Sequence, residues 1–167
     1  HEICREYGVT YYTINIDGSI DVDGDVNLSY MKLTKLPLKF NHVSGDFWCS
    51  DNELTTLLGS PQSVGGNFWC QYNKLTTLEC APQTVGGDFY CNSNHLTTLL
   101  GSPKSVGGDF DCRFNILTSL EGGPKSVGGD FICYDNPIYY KLGNIDYKSY
   151  IKQLNRDKII TELLNSR

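Results

Sequence analysis

The sequence lacks most of what would point to a membrane or to catalysis. No run of about 18 apolar residues occurs, so no transmembrane span is expected. Basic charge is in deficit: 14 Lys and Arg face 19 Asp and Glu, for a net charge of -5 and a pI near 5.1. A chain of that balance has no electrostatic footprint for nucleic acid or for an anionic membrane. Histidine is scarce, and His1, His42 and His95 show no spacing suited to a metal or to a nucleophile's base. No Ser elbow and no phosphate-binding loop is present. Among 7 cysteines no C-x-x-C pair occurs, which removes the usual sign of a metal cluster. No catalytic residue, cofactor or metal ligand is therefore assigned. No secretory signal is read, but the chain begins at His1 rather than Met, which leaves that absence uninformative.

What the chain has instead is repetition. Val43, Val64, Val85, Val106 and Val127 are each 21 residues apart, as are Phe47, Phe68, Phe89, Phe110 and Phe131 and also Cys49, Cys70, Cys91, Cys112 and Cys133. The unit is V-G-G-D-F-x-C-x-x-N-x-L-T-x-L-x-G-x-P-x-S. A short fixed period means one supersecondary unit stacked on copies of itself. Hydrophobic content is 40% and charged content 20%, a globular balance. Five of the cysteines share one repeat position and are expected as a ladder of buried small hydrophobes. Their odd total argues against complete pairing, so reduced thiols in a reducing compartment are expected.

Three parts are expected. Residues 1–21 lie outside the repeat and form an N-terminal cap. In it, Glu2 to Tyr7 reads as a short helix stopped by Gly8, and the alternation around Asp17-Gly18 reads as a hairpin. Residues 22–136 carry about 5.5 turns of the 21-residue repeat, the first degenerate. Residues 137–167 form a helical C-terminal cap. There Ile145, Tyr150, Ile151, Leu154, Ile159, Ile160, Leu163 and Leu164 recur at roughly helical spacing, and Asn144 or Asp146 is the candidate N-cap. Caps of this kind cover the open ends of a solenoid.

Within a repeat, period two points Phe47 and Cys49 inward and Asp46, Trp48 and Ser50 outward. Asn52, Asn73, Asn94, Asn115 and Asn136 form an interior ladder that bonds backbone groups. Thr55 is expected to bond its turn locally. The short repeat leaves little room for a convex helix, so the return segment is expected to be extended or 3₁₀. The Gly pairs allow a tight bend into the next strand. The Asp column, Asp25, Asp46, Asp88, Asp109 and Asp130 with Asn67 as one member, accepts turn amides. Leu58 and Leu100 stand where Glu79 and Glu121 stand in other turns. They either pack at the core's edge or join an interface.

The segment D-F-x-C-x-x-N-x-L resembles the leucine-rich repeat L-x-x-L-x-L-x-x-N-x-L. Phe47 and Cys49 match the strand leucines, Asn52 the repeat asparagine and Leu54 the leucine after it. The resemblance implies a right-handed α/β-type repeat solenoid with a parallel sheet on its concave face and little convex helix. The wording S-V-G-G-D-F-x-C-x-x-N-x-L-T-S/T-L, after Y-T-I-N-I-D-G-S-I-D-V-D-G-D-V-N-L-S, is similar to short leucine-rich-repeat proteins encoded by bacteriophages and prophages. It implies a viral origin and little about the target. G-G-D-F also looks like the signature of cyclic-dinucleotide synthases, but its return once per turn makes it turn chemistry.

Function is expected on the concave face. One outward column runs Asn27, Trp48, Trp69, Tyr90, Asp111 and Ile132. The next runs Ser29, Ser50, Gln71, Asn92, Arg113 and Tyr134, and beside it Tyr30, Asp51, Tyr72, Ser93, Phe114 and Asp135. Variable columns on a fixed frame are how repeat proteins write a binding surface, and exposed Trp and Tyr are common hot-spot residues. The expected partner-binding residues are Trp48, Trp69, Tyr90, Asp111, Tyr72, Arg113, Phe114, Ile132, Tyr134 and Asp51. The expected partner is a host bacterial protein, basic where it meets the acidic face, in the cytoplasm of an infected cell; a defence-system protein that the module inhibits is one example. The competing readings are a small-ligand or glycan binder stacking on Trp48, Trp69 and Tyr90, a self-assembling structural protein, and an aromatic ladder that only stiffens the sheet.

Overall fold

From Gly65 onward each 21-residue turn is held to the one before it by a backbone approach that only glycine permits; at the first such contact Ser44 stands where later turns have the first glycine. A Cβ on Gly65 would lie 2.1 Å from the carbonyl oxygen of Ser44, and one on Gly66 2.0 Å from Oδ1 of Asp46. Neither glycine has a positive φ, so the pair serves the contact between coils rather than a left-handed bend. Around it the chain makes two short strands per turn. The computed structural model describes residues 1–142, 149–152 and 156, and over them the chain is a repeat solenoid with little helix.

Its strands are β1 (Tyr12–Ile14), β2 (Ile20–Val22), β3 (Val26–Asn27), β4 (Phe40–Val43), β5 (Phe47–Trp48), β6 (Ser63–Val64), β7 (Phe68–Trp69), β8 (Thr84–Val85), β9 (Phe89–Tyr90), β10 (Ser105–Val106), β11 (Phe110–Asp111), β12 (Ser126–Val127) and β13 (Phe131–Ile132). They form two sheets. One is six-stranded in the order β3-β5-β7-β9-β11-β13, the other seven-stranded in the order β1-β2-β4-β6-β8-β10-β12. Neighbouring repeats pair in parallel, as Phe47 with Phe68 and Trp48 with Trp69, or Ser63 with Thr84 and Val64 with Val85. The repeat pattern does not announce the second sheet. It forms because the return segment is extended and the period brings each Ser/Thr-Val pair beside the next.

Between the sheets runs one core. Phe47, Phe68, Phe89, Phe110 and Phe131 stack with centroids 5.1–5.3 Å apart and planes within 8°. Phe40 closes the row edge-on against Phe47 at 5.1 Å. Leu54, Leu57, Cys49 and their equivalents Leu75, Leu78 and Cys70 are fully buried; each buried Leu or Phe contributes about 1.5–3 kcal/mol. The interior asparagines tie coil to coil: Asn73 Nδ2 donates to the carbonyls of Cys49 (2.9 Å) and Cys70 (3.2 Å), while its Oδ1 accepts the Leu54 N–H (2.9 Å). The turn bond expected of Thr55 is made one residue later, where Thr56 Oγ1 accepts the Leu58 N–H (3.1 Å).

The N-terminal part forms as its pattern predicts. Helix α1 (Glu2–Glu6) ends at Tyr7 before Gly8 at φ 65, and β1 pairs antiparallel with β2 to finish one edge of the seven-stranded sheet. At the other end α2 (Pro137–Leu142) buries Ile138, and Tyr150, in the helical residues 149–152, packs against the core. The rest of the predicted C-terminal pattern, Ile145, Leu154, Ile159, Ile160, Leu163 and Leu164 with the candidate caps Asn144 and Asp146, lies outside the described residues. Among the described residues no helix is long and apolar enough to cross a membrane.

All seven cysteines are free. Burial pushes the thiols of Cys49, Cys70, Cys91 and Cys112 well up, which keeps them protonated and inert. Cys80 alone is exposed, and Cys133 is partly so. A thiol reagent on the native protein is expected to titrate Cys80 quickly and Cys133 slowly, with the other five reacting only on unfolding. Cys80→Ser should delete the fast phase. Rapid reaction of all seven would mean that the core opens.

Candidate binding face

The outer face of the six-stranded sheet carries the residues that the alternation points outward. The strand spacing is about 4.8 Å, little more than the thickness of an aromatic ring, so large rings in one column have to stack. Trp48 and Trp69 do so with centroids 4.6 Å apart and planes at 25°, and Tyr90 continues the row 6.0 Å from Trp69 at 17°. All three are half-buried. Trp69 is covered on both faces, so what the ladder turns outward is ring edges. The Tyr90 hydroxyl donates to Asp88 Oδ2 at 3.0 Å. Burial and that carboxylate push its pKa up to about 12.

The ladder stops at Asp111, which the structure places differently from expectation. Asp111 is fully buried. Arg113 Nε donates to both its carboxylate oxygens at 2.9 Å, Nη2 donates to Oδ2 at 2.6 Å, and the Arg113 N–H donates to Oδ1 at 3.0 Å. A buried carboxylate is tolerable when a bidentate partner satisfies it in this way. Asp111 is therefore no free contact for a partner but the anchor that lays Arg113 across the sheet. The guanidinium Cζ lies 4.8 Å from the centroid of Tyr134, and Nη1 also meets the Tyr134 hydroxyl.

The neighbouring column departs from expectation as well. Ser50 and Asn92 are buried, and the Ser50 hydroxyl pairs with that of Ser29 at 3.0 Å. Beyond it the chain leaves the strand through a left-handed residue in every turn: Tyr30, Asp51, Tyr72, Ser93, Phe114 and Asp135 have φ between 51 and 60. Nothing in the sequence marks this, because Tyr and Phe are not residues that favour that conformation. Their rings stand out into solvent, with Tyr30 77%, Tyr72 57% and Phe114 52% exposed. Ile132 is half-buried and Tyr134 packs edge-on against Phe114 at 5.9 Å.

Charge in these columns is acidic apart from Arg113. The Asp column runs alongside, and Asp25, Asp46, Asn67, Asp88 and Asp109 each accept the backbone N–H of the equivalent residue one turn on, at 2.6–2.8 Å. Asn67 fits because an amide oxygen accepts the same bond. Only Oδ1 is used in this ladder, so the second carboxylate oxygen of each Asp is left out of it. In the columns described the one cation is Arg113, and Asp111 neutralises it. Among the described residues no group of His, Cys, Asp and Glu is arranged to hold a metal ion.

Two further surfaces belong to the geometry. Leu58 and Leu100 are 68% and 53% exposed, so they face water rather than the edge of the core. On the seven-stranded sheet the small residues of the repeat leave a shallow groove of about 580 Å³ past His42, Ser63, Thr84, Ser105 and Ser126, with Gly65, Gly86, Gly107 and Gly128 along it. Sequence reasoning passes over it, although a Ser/Thr column beside a Gly column is its signal. No protein-family model, curated protein or solved structure matches this chain.

Proposed function

We propose that this chain is a non-enzymatic protein-binding module whose six-stranded face docks on a partner protein with a basic surface. The observation that carries the reading is one face holding a half-buried Trp48–Trp69–Tyr90 ladder, exposed Tyr72 and Phe114, and a column of carboxylates with no free cation among them. Aromatic anchors beside desolvated edges are where binding energy concentrates, and complementary charge speeds and orients encounter. The fixed core columns supply a rigid frame on which these residues vary. The resemblance to phage-encoded repeats extends the proposal to a host bacterial partner, such as a defence-system protein, met in the cytoplasm of an infected cell.

A glycan stacking on the same ladder is the weaker reading. Sugar stacking needs a bare ring face, and the faces of Trp69 are taken by Trp48 and Tyr90. Self-assembly draws its support from the exposed Leu58 and Leu100 and would appear as a mass that rises with concentration in light scattering.

The test is affinity capture from bacterial host lysate by the wild type and by the Trp48→Ala/Trp69→Ala/Tyr90→Ala variant, with circular dichroism confirming that both are folded. One stoichiometric protein held by the wild type and lost by the variant is the expected result. Equal capture by both would sink the aromatic face as the binding surface.

A further inference from the structure

The left-handed column alternates in a way the repeat itself does not demand. Aromatic residues occupy every second turn, Tyr30, Tyr72 and Phe114, and short acceptors occupy the turns between, Asp51, Ser93 and Asp135. Every one of them sits at φ 51 to 60, where Gly, Asn or Asp is the unstrained choice and a bulky L-residue costs about 1 kcal/mol or more. Three rings are thus held in a conformation they disfavour with half or more of their surface exposed to water, so burial offsets that strain only in part.

The spacing describes a cleft. Backbone positions two turns apart are about 9.6 Å from one another, at about 4.8 Å per turn, with a short acceptor on the turn between them. Tyr30 and Tyr72 flank Asp51. The charge of Asp51 raises the Tyr30 hydroxyl's pKa, with burial, a hydrogen bond to that carboxylate and Tyr72 adding to the effect; the carboxylate oxygens keep further acceptor capacity. Among the described residues no cation pairs with Asp51; the ion pairs are Lys39–Asp17, Lys74–Glu53 and Arg113–Asp111. The equivalent Asp135 likewise has a tyrosine partner, the Tyr140 hydroxyl, which donates to it at 3.0 Å. The chain also shows what one turn of offset does for a cation: Arg113 reaches the Tyr134 ring of the next turn at 4.8 Å while a carboxylate holds its other edge. A cation held at the turn between Tyr30 and Tyr72 would lie one strand spacing, about 4.8 Å, from each of their turns, inside the about 6 Å over which a ring face attracts it.

We infer that Tyr30, Asp51 and Tyr72 form a recognition cleft for an arginine side chain presented by an extended segment of the partner. The rings sandwich the guanidinium and Asp51 accepts its two-pronged donation. The inference rests on the protein-binding reading above and names the chemistry that this face selects. Arginine is preferred to lysine, since a planar fork fits both the slot and the carboxylate.

The test titrates the full chain, followed by amide and aromatic NMR shifts, with a blocked Gly-Gly-Arg-Gly-Gly-Arg-Gly peptide and with its citrulline counterpart, which keeps the shape and removes the charge. Saturable shifts centred on Tyr30, Asp51 and Tyr72 are expected for the arginine peptide, with citrulline binding at least about tenfold weaker. Asp51→Asn and Tyr72→Asn should each weaken the arginine peptide at least about tenfold. Asn is at home at positive φ, so Tyr72→Asn should melt no lower than the wild type, which separates lost binding from lost fold. Equal affinity for citrulline would overturn the inference, as would the absence of saturable shifts. Shifts confined to Trp48 and Trp69 and unchanged by Tyr72→Asn would overturn the cleft while leaving the docking face in place. Capture lost in the Trp48/Trp69/Tyr90 variant tests that face separately.

Discussion

Asn94→Ala is expected to lower stability by about 3 kcal/mol and the melting temperature by roughly 6–12 °C, at about 2–4 °C per kcal/mol for a chain of this size. The value follows from asking which buried groups lose their last partner. Asn94 Nδ2 donates to the carbonyls of Cys70, Cys91 and Asn92, and its Oδ1 accepts the Leu75 N–H at 3.0 Å. Counting four orphans would overestimate the damage. The Cys70 carbonyl keeps Asn73 and the Cys91 carbonyl keeps Asn115, because the carbonyls of Cys49, Cys70, Cys91 and Cys112 are each shared by two successive asparagines. The Asn92 carbonyl keeps the Tyr72 N–H. Only the Leu75 N–H is stranded, at about 1–3 kcal/mol, and the rest comes from three weakened acceptors and the space left by the amide.

Asn94→Asp sharpens the same prediction. It keeps the acceptor for Leu75 but turns a carboxylate oxygen toward three carbonyls, so the charged form is disfavoured and the folded pKa rises above its unfolded value. A group of that kind supports the fold while protonated and loses that support as pH rises through the folded pKa. The variant should therefore melt lower at pH 7 than at pH 4.5, a slope measured by calorimetry at both values. A melting temperature for Asn94→Ala within 2 °C of wild type, or a flat profile for Asn94→Asp, would remove the ladder from the account of stability.

Much of this fold was legible because its causes repeat. A core Phe, Cys, Asn and Leu at fixed offsets can only be reconciled with stacked coils, and the hairpin at Asp17-Gly18 and the helix before Gly8 carried ordinary local signals. The second sheet was less legible, since a two-residue Ser-Val strand has no period of its own and exists only because its copies lie alongside. On the six-stranded face, alternation pointed Trp48, Trp69 and Tyr90 outward as the structure has them and misplaced Asp111. Residues two apart share one face of a strand, so Arg113 was in reach of Asp111. Its folding back over the carboxylate, however, is a side-chain choice that no spacing declares. The left-handed column was least legible of all. Gly59, Gly101 and Gly122 announce positive φ at a neighbouring turn by their identity, whereas Tyr30, Tyr72 and Phe114 adopt it against their preference.

Gly107→Ala should be among the most disruptive single substitutions, at about 3 kcal/mol or more. Its Cβ would stand 2.0 Å from the carbonyl oxygen of Gly86, and neither partner can step aside. Gly107 N–H is bonded to Val85 O at 2.9 Å and Gly108 N–H to Gly87 O at 2.8 Å, with a sheet continuing on either side of the bend. Relief requires the two coils to separate, which breaks those bonds and opens the Phe stack behind them. Gly108→Ala meets a different obstacle, the side-chain Oδ1 of Asp88 at 1.9 Å. The two glycines can therefore be told apart by one background change. Asp88→Ala alone gives up the bonds from the Asp109 N–H (2.7 Å) and the Tyr90 hydroxyl (3.0 Å) and should cost about 1–3 kcal/mol. Combined with Gly108→Ala it removes the 1.9 Å contact and leaves only the 3.1 Å approach to the Gly87 carbonyl carbon, so the pair should be less destabilised than the sum of the single changes by about 1 kcal/mol or more, a coupling expected only for groups in contact. Combined with Gly107→Ala it should give no such relief, because the obstacle there is main chain. Denaturant unfolding of the three single and two double variants measures both couplings. Equal rescue of both glycines would mean that the carboxylate ladder, rather than backbone approach, sets the distance between coils; rescue of neither would mean that the side chain of Asp88 yields freely and that Gly108 recurs in the repeat for its backbone alone.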